Sequence, residues 1–288
     1  MTEAGAMSNA DRDAAEFEGV PWRNVNLNDQ PEARRVPTML AGDEQRFYTW
    51  ITQDWAEGTG AVVDLGAFAG GSTARLAAGA KAAGKPLAIH AYDKFTAKAE
   101  TKQTELYDKG VPEFDGADIL PLARDFLSPW ADQITYHKGN IEELGWDGGP
   151  IEILAIDVFK KVDLIDPITR AFFPSLVPGR SLLVQQDFLH WSQPWICAQM
   201  ELFGDVFEPV AFARRDSIAY LLRKPITEAV LKRAQVASLT DDDMQGAIAS
   251  ARVRFGDWGI QNRLDALSQG LAANPGARVS WQMKPPEA

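Results

Sequence analysis

A single cysteine, Cys197, stands in 288 residues, so the chain cannot form an internal disulfide. Positive charge is also scarce. The 29 Lys and Arg face 40 Asp and Glu, a formal net of −11, and no basic cluster is longer than a pair. Such a surface field repels a phosphate backbone, and nucleic acid is not expected as a partner. No stretch approaches the roughly 20 apolar residues that span a bilayer, so no membrane partner is expected either. Residues 1–18 are rich in Ala, Asp and Glu and lack the basic start and apolar centre of a signal peptide, which makes a cytoplasmic location the default. Internal repeats and sustained heptads are absent as well.

What is present is the composition of an ordinary folded protein, 45% apolar and 24% charged, in a length that suits one substantial core with decorations. Residues 1–37 read as a flexible N-terminal segment. In 43–57, Phe47, Trp50, Ile51 and Trp55 recur at helical spacing and give a helix with a heavy aromatic face. A β-branched run at 61–65 leads through a glycine-rich turn into an Ala-rich helix over 72–83, stopped by Gly84 and Pro86. Short apolar runs at 87–92, 134–137, 151–156 and 181–184 are separated by segments long enough for helices, as in a buried parallel α/β sheet. The runs 206–213 and 217–222 flank Arg214-Arg215-Asp216, a link suited to a hairpin and too short for a crossover, so one strand near the end runs antiparallel. Residues 95–133 form a long insertion whose natural use is a cap over a substrate. Beyond Pro225, Ala/Leu/Arg patterning predicts two or three helices, broken near Thr240 and packed on the domain or on a second subunit. A homodimer is the commonest closed assembly and the expectation here.

The chemistry is concentrated at strand ends. The run Val63-Asp64-Leu65-Gly66-Ala67-Phe68-Ala69-Gly70-Gly71-Ser72-Thr73 is a strand, an acid, a glycine turn and a helix start. That arrangement lets backbone approach a ligand and offers unpaired helix N–H groups to an anion. Its spacing is G-x-x-x-G-G, which argues against the G-x-G-x-x-G of a nicotinamide oxidoreductase. Asp93 closes the second strand, where a carboxylate can accept both hydroxyls of a ribose. Asp157 closes the fourth strand and is followed by Val158-Phe159-Lys160, and the fifth ends in Gln185-Gln186-Asp187. His190 lies just beyond, with a side-chain type whose unperturbed pKa near 6.5 suits proton abstraction. Trp130, Trp191 and Trp195 could wall a substrate, although core packing is the better expectation for each.

These residues resemble class I S-adenosylmethionine (SAM)-dependent methyltransferases, and 64–72 resembles the first motif of catechol-type and antibiotic-sugar O-methyltransferases. The resemblance covers about 38–224 and leaves the N-terminal segment, the insertion and 225–288 without a match. It implies a Rossmann-like, seven-stranded, mostly parallel α/β sheet with one antiparallel strand, and transfer of a methyl from SAM to a hydroxyl of a small phenolic or sugar substrate. It places Asp64, Gly66, Phe68, Gly70, Ser72, Asp93, Asn140 and Asp157 at SAM, with Asn140 in the region flanking adenine. Asp157-Val158-Phe159-Lys160 is similar to an Asp-x-x-Lys in which the aspartate binds Mg²⁺ and the lysine takes the substrate proton. Asp187 and Gln186 would complete the Mg²⁺ ligands, although relatives tend to carry Asp-Asn or Asp-Asp where this chain has Gln-Asp. Two other readings stand beside it: a metal-independent methyltransferase with His190 as base, and a SAM-binding scaffold without catalysis.

Overall fold

A computed structural model describes residues 11–286. Seven strands, β1 (Ala61–Leu65), β2 (Ile89–Asp93), β3 (Ile134–Lys138), β4 (Ile151–Ile156), β5 (Leu182–Gln185), β6 (Phe207–Ala213) and β7 (Ser217–Leu222), form one sheet in the order β3-β2-β1-β4-β5-β7-β6. All pairs from β3 to β5 are parallel, and β7 is antiparallel to both β5 and β6. The sheet is therefore Rossmann-like with one antiparallel strand, as expected. Strands β1 and β4 are buried along their whole length because both faces are covered, which is why they read as continuous apolar runs. Pro209 sits in the edge strand β6 beside a register shift, a position that tolerates a missing N–H.

The helices are α1 (Pro31–Arg35), α2 (Gly42–Trp50), α3 (Gly71–Ala82), α4 (Ala99–Glu105), α5 (Leu120–Phe126), α6 (Ile141–Leu144), α7 (Val162–Phe172), α8 (Pro194–Phe203), α9 (Glu228–Arg233), α10 (Asp241–Arg254) and α11 (Gln261–Ala273). One face of the sheet packs Val62, Ala91 and Ile153 against α2 and α3. The other packs Val63, Leu154 and Leu183 against α7, α8 and the C-terminal helices. Helix α2 passes directly into a π-turn, Ile51–Trp55, where Thr52 Oγ1 donates to Leu76 O at 2.8 Å. Gly79 lets α3 cross there, since a Cβ on it would lie 2.2 Å from Thr49 O.

Three of the expected segments take definite places in the structure. Residues 1–10 of the expected flexible segment lie outside the described residues, but 11–37 are packed: Phe17 meets Trp50 edge-on at 5.4 Å and Trp22 meets Phe47 at 5.0 Å. The aromatic face of α2 needed a cover, and this segment is it. The insertion 95–133 reaches the glycine turn, where a Cβ on Gly70 would lie 2.7 Å from Leu127 Cδ1. Its α4 and α5 complete the crossover from β2 to β3, burying Leu106, Ile119 and Leu127 on the α3 face. The extension 225–288 forms three helices that pack on the domain, one of the two placements expected, with Met244, Ile248, Phe255, Leu264 and Leu267 in the cluster that holds α8.

Candidate functional site

Strand order reverses between β1 and β4, so their carboxyl ends part and open a crevice, the usual ligand position in such sheets. The turn after β1 forms one wall. The amides of Gly66 and Ala67 donate to Tyr92 O at 2.8 and 3.1 Å, drawing the turn toward β2. Gly66 has φ +100°, and a Cβ there would lie 2.8 Å from Asp157 O, so glycine is required by conformation and by space. Phe68 is left-handed at φ +49° without that freedom. Its amide donates to Asp93 Oδ2 at 3.0 Å, while Phe95 N donates to Asp93 Oδ1 at 2.6 Å. Burial pushes the Asp93 carboxyl above its ordinary value against these two hydrogen bonds. Gly70, at φ +95°, starts α3.

The crevice is narrow, with a cavity volume of about 30 Å³. Gly66, Phe68, Ser72, Asp157 and Gln186 line it, and the opposite wall is the strap 37–40. The strap is pinned by the buried Arg75, whose Nη1 donates to both Val36 O and Gly71 O at 3.0 Å. Its Nη2 donates to Gln45 Oε1 at 3.1 Å. Nothing in the pattern before α2 signalled this strap, because its contacts are made by backbone carbonyls. Asn140 does not line the crevice: it follows Gly139, whose amide donates to Asp93 O at 3.0 Å, and its Nδ2 donates to Glu143 Oε1 at 3.0 Å.

Asp64, expected at the ligand, is turned into the fold. It is 2% exposed and accepts from Ser72 Oγ at 2.7 Å and Thr73 Oγ1 at 2.6 Å, fastening the first turn of α3 to β1. Burial raises it to about 6, and the two hydroxyls oppose that rise.

At the β4 and β5 ends the expected polar residues do converge, in a different arrangement. Lys160 Nζ lies 2.5 Å from Asp157 Oδ1 and also donates to Asp187 Oδ2. Gln186 Nε2 donates to Asp157 Oδ2 at 2.7 Å, and Gln186 Oε1 accepts from Tyr48 Oη at 3.0 Å. Gln193 Nε2 donates to Asp187 Oδ2 at 2.7 Å. Burial alone would lower Lys160, but the two carboxylates outweigh it and hold the ammonium above its ordinary value, so Lys160 is a cation here and not a base. Burial raises Asp157, whereas Lys160 and Gln193 hold Asp187 below its ordinary value despite burial.

These residues do not fit the expected Mg²⁺. The ammonium occupies the space between the two carboxylates, and Gln186 turns its amide hydrogens toward Asp157 and its oxygen toward Tyr48. Among the described residues no group of three or more His, Cys, Asp or Glu could hold a metal.

His190 follows the β5 end. Its Nδ1 lies 3.0 Å from Ser192 Oγ, which in turn lies 2.7 Å from Ser280 Oγ in the C-terminal segment. Burial lowers its pKa, with Asp187 and Asp216 opposing. Arg263 of α11 bonds Asp216, and Gly270 of the same helix sits against Trp191, where a Cβ would lie 2.4 Å from the carbonyl oxygen. Trp191 stacks on His190 at 6.0 Å, whereas Trp130 and Trp195 are 2% and 0% exposed and belong to the core. Tyr48, Gln193, Ser192 and Ser280 are the polar participants that pattern reading missed.

No protein-family model matches the chain. No curated protein matches it in sequence. Solved structures similar to it include the O-methyltransferase NovP, at 15% identity over 69% of this chain and 89% of that one, with a TM-score of 0.49. An SAH-bound Podospora anserina methyltransferase is 12% identical over 75% and 91% of the two chains, with a TM-score of 0.44. The calicheamicin methyltransferase CalS11 is 14% identical over 72% and 84%, with a TM-score of 0.42. No helix among the described residues is long and apolar enough to cross a membrane.

Proposed function

We propose that this chain transfers a methyl group from SAM to an oxygen of a small-molecule acceptor, without a divalent metal and with His190 as the proton acceptor. The observation that carries the reading is the Asp93 carboxylate holding the amide of left-handed Phe68 in the turn that Gly66 begins. A strained non-glycine residue fixed by a buried acid at a strand end is characteristic of a ligand clamp. A carboxylate oxygen accepts more than one hydrogen bond, so Asp93 retains capacity for the two ribose hydroxyls. The first amides of α3 supply donors for the methionine carboxylate.

Bound SAM supplies an electrophilic methyl on a sulfonium. The chain's own groups do the remaining work. Gly66, Phe68 and Ser72 with the strap 37–40 enclose the donor. The edge formed by Asp157, Lys160 and Asp187 orients the acceptor. His190 Nδ1 lies 3.0 Å from Ser192 Oγ and accepts from Ser192 N at 3.4 Å; taking the acceptor's proton at Nε2 requires the tautomer in which Nδ1–H donates to Ser192 Oγ instead. Burial keeps the ring neutral near pH 7 and ready to take the acceptor's proton. Methyl transfer is a displacement, so alignment and exclusion of water account for most of the acceleration.

Calorimetry with SAM, S-adenosylhomocysteine and NAD, followed by a labelled-methyl assay on phenols and sugars, tests the reading. Binding of both adenosyl ligands and turnover on a hydroxyl are expected. Binding of NAD in their place overturns it, and binding without turnover on any hydroxyl leaves a SAM-binding scaffold.

A further inference from the structure

The ends of β4 and β5 present two carboxylates to one point, an arrangement that attracts a cation. The cation at that point belongs to the chain. Lys160 Nζ sits 2.5 Å from Asp157 Oδ1 and bonds Asp187 Oδ2, and its side chain is still 37% exposed. The neighbouring amides are arranged around this charge state. Gln186 and Gln193 each turn Nε2 toward one of the carboxylates, so both acids are supplied with donors, and Gln186 Oε1 is taken by Tyr48 Oη. An ammonium has three N–H donors. Two are spent on Asp157 and Asp187, and among the described residues the third has no partner.

We propose that Lys160 is the resident cation of this site, taking the place a divalent metal would occupy between Asp157 and Asp187, and that its third N–H is the chain's contact for the acceptor oxygen. The first half stands on geometry alone. The second rests on the methyl-transfer reading, in which an acceptor oxygen gains negative charge as its proton leaves. A fixed ammonium suits that oxygen because it is preorganised by two carboxylates and needs no reorientation as charge develops. Magnesium normally takes near-octahedral oxygen coordination and keeps several waters, and the ammonium held by both carboxylates takes the space that coordination needs.

The consequence is that removing the ammonium converts the site into one that accepts a metal. Mn²⁺ serves as the probe, followed through the electron paramagnetic resonance of the free ion, with Mg²⁺ as competitor. Wild type is expected to leave the Mn²⁺ signal unchanged. Lys160→Met, or Lys160→Gln should the first variant lose its circular dichroism, is expected to take up one equivalent of Mn²⁺ that Mg²⁺ displaces and that a further Asp187→Asn change abolishes. In the labelled-methyl assay wild type should be indifferent to EDTA, and Lys160→Met should lose turnover and recover part of it with Mg²⁺. Uptake of one Mn²⁺ by wild type, lost in Asp187→Asn, overturns the proposal. So does a folded Lys160 variant that takes up none. SAM calorimetry on the same preparations separates the two claims: absence of SAM binding removes the methyl-transfer reading and leaves the Mn²⁺ result standing.

Discussion

Asp93 and Phe68, 25 residues apart, are joined by a 3.0 Å hydrogen bond from the Phe68 amide to the Asp93 carboxylate. The end of β2 thereby fixes the turn that follows β1, and the turn takes a left-handed residue where glycine would cost less. The same carboxylate is the one proposed to bind the ribose, so turn geometry and ligand affinity depend on a single side chain.

Gly66→Ala should destabilise the fold. The methyl would meet Asp157 O at 2.8 Å in a backbone conformation that disfavours L residues, a cost of about 1–3 kcal/mol. Gly246→Ala, on the exposed face of α10 with no heavy atom within 4 Å, should instead stabilise by roughly 0.5–1 kcal/mol. Urea denaturation of the two variants checks both signs.

Asp64 makes stability depend on acid pH. Its folded value of about 6 exceeds the ordinary 3.8, so the native state binds the proton more tightly than the unfolded chain. The resulting stabilisation is complete below 3.8 and is lost as pH rises through about 6, with an upper size of roughly 3 kcal/mol. Asn in its place can still accept from Ser72 and Thr73 and does not titrate. Wild type should therefore lose stability relative to Asp64→Asn between pH 4 and 6, as measured by denaturation across that window.

His190→Gln should lower kcat about 100-fold or more while leaving the SAM dissociation constant unchanged. Because burial lowers the imidazole pKa, the acid limb of wild-type kcat should lie below pH 6.5 and should vanish in the variant. An acid limb that persists in His190→Gln belongs to another group and excludes His190 as the base.

The sheet was legible because buried parallel strands are written as short apolar runs, and each run lies within a few residues of its strand. The polar cluster was legible for a related reason: Asp157 and Asp187 end adjacent parallel strands, so they must reach the same edge. The relation of Lys160 to those acids was not legible, since an Asp-x-x-Lys spacing permits either a neutral base or a paired ammonium and only the distances distinguish them. The direction of the Asp64 side chain was not legible. One residue before its strand ends, its side chain points under α3 to Ser72 and Thr73. The contacts of Tyr48 with Gln186 and of Ser192 with Ser280 span 138 and 88 residues, and no local pattern encodes them. The packing of 11–37 was hidden by its prolines and short turns, although the uncovered aromatic face of α2 implied that something must lie on it.

Titration calorimetry of SAM against wild type and Asp93→Ala tests the central claim most directly. The account predicts one SAM per wild-type chain and a loss of about 1.5–3 kcal/mol in the variant, roughly 10- to 100-fold in affinity, from the missing charge-assisted hydrogen bonds. An unchanged affinity in a folded Asp93→Ala, or no heat of binding in wild type, would contradict it.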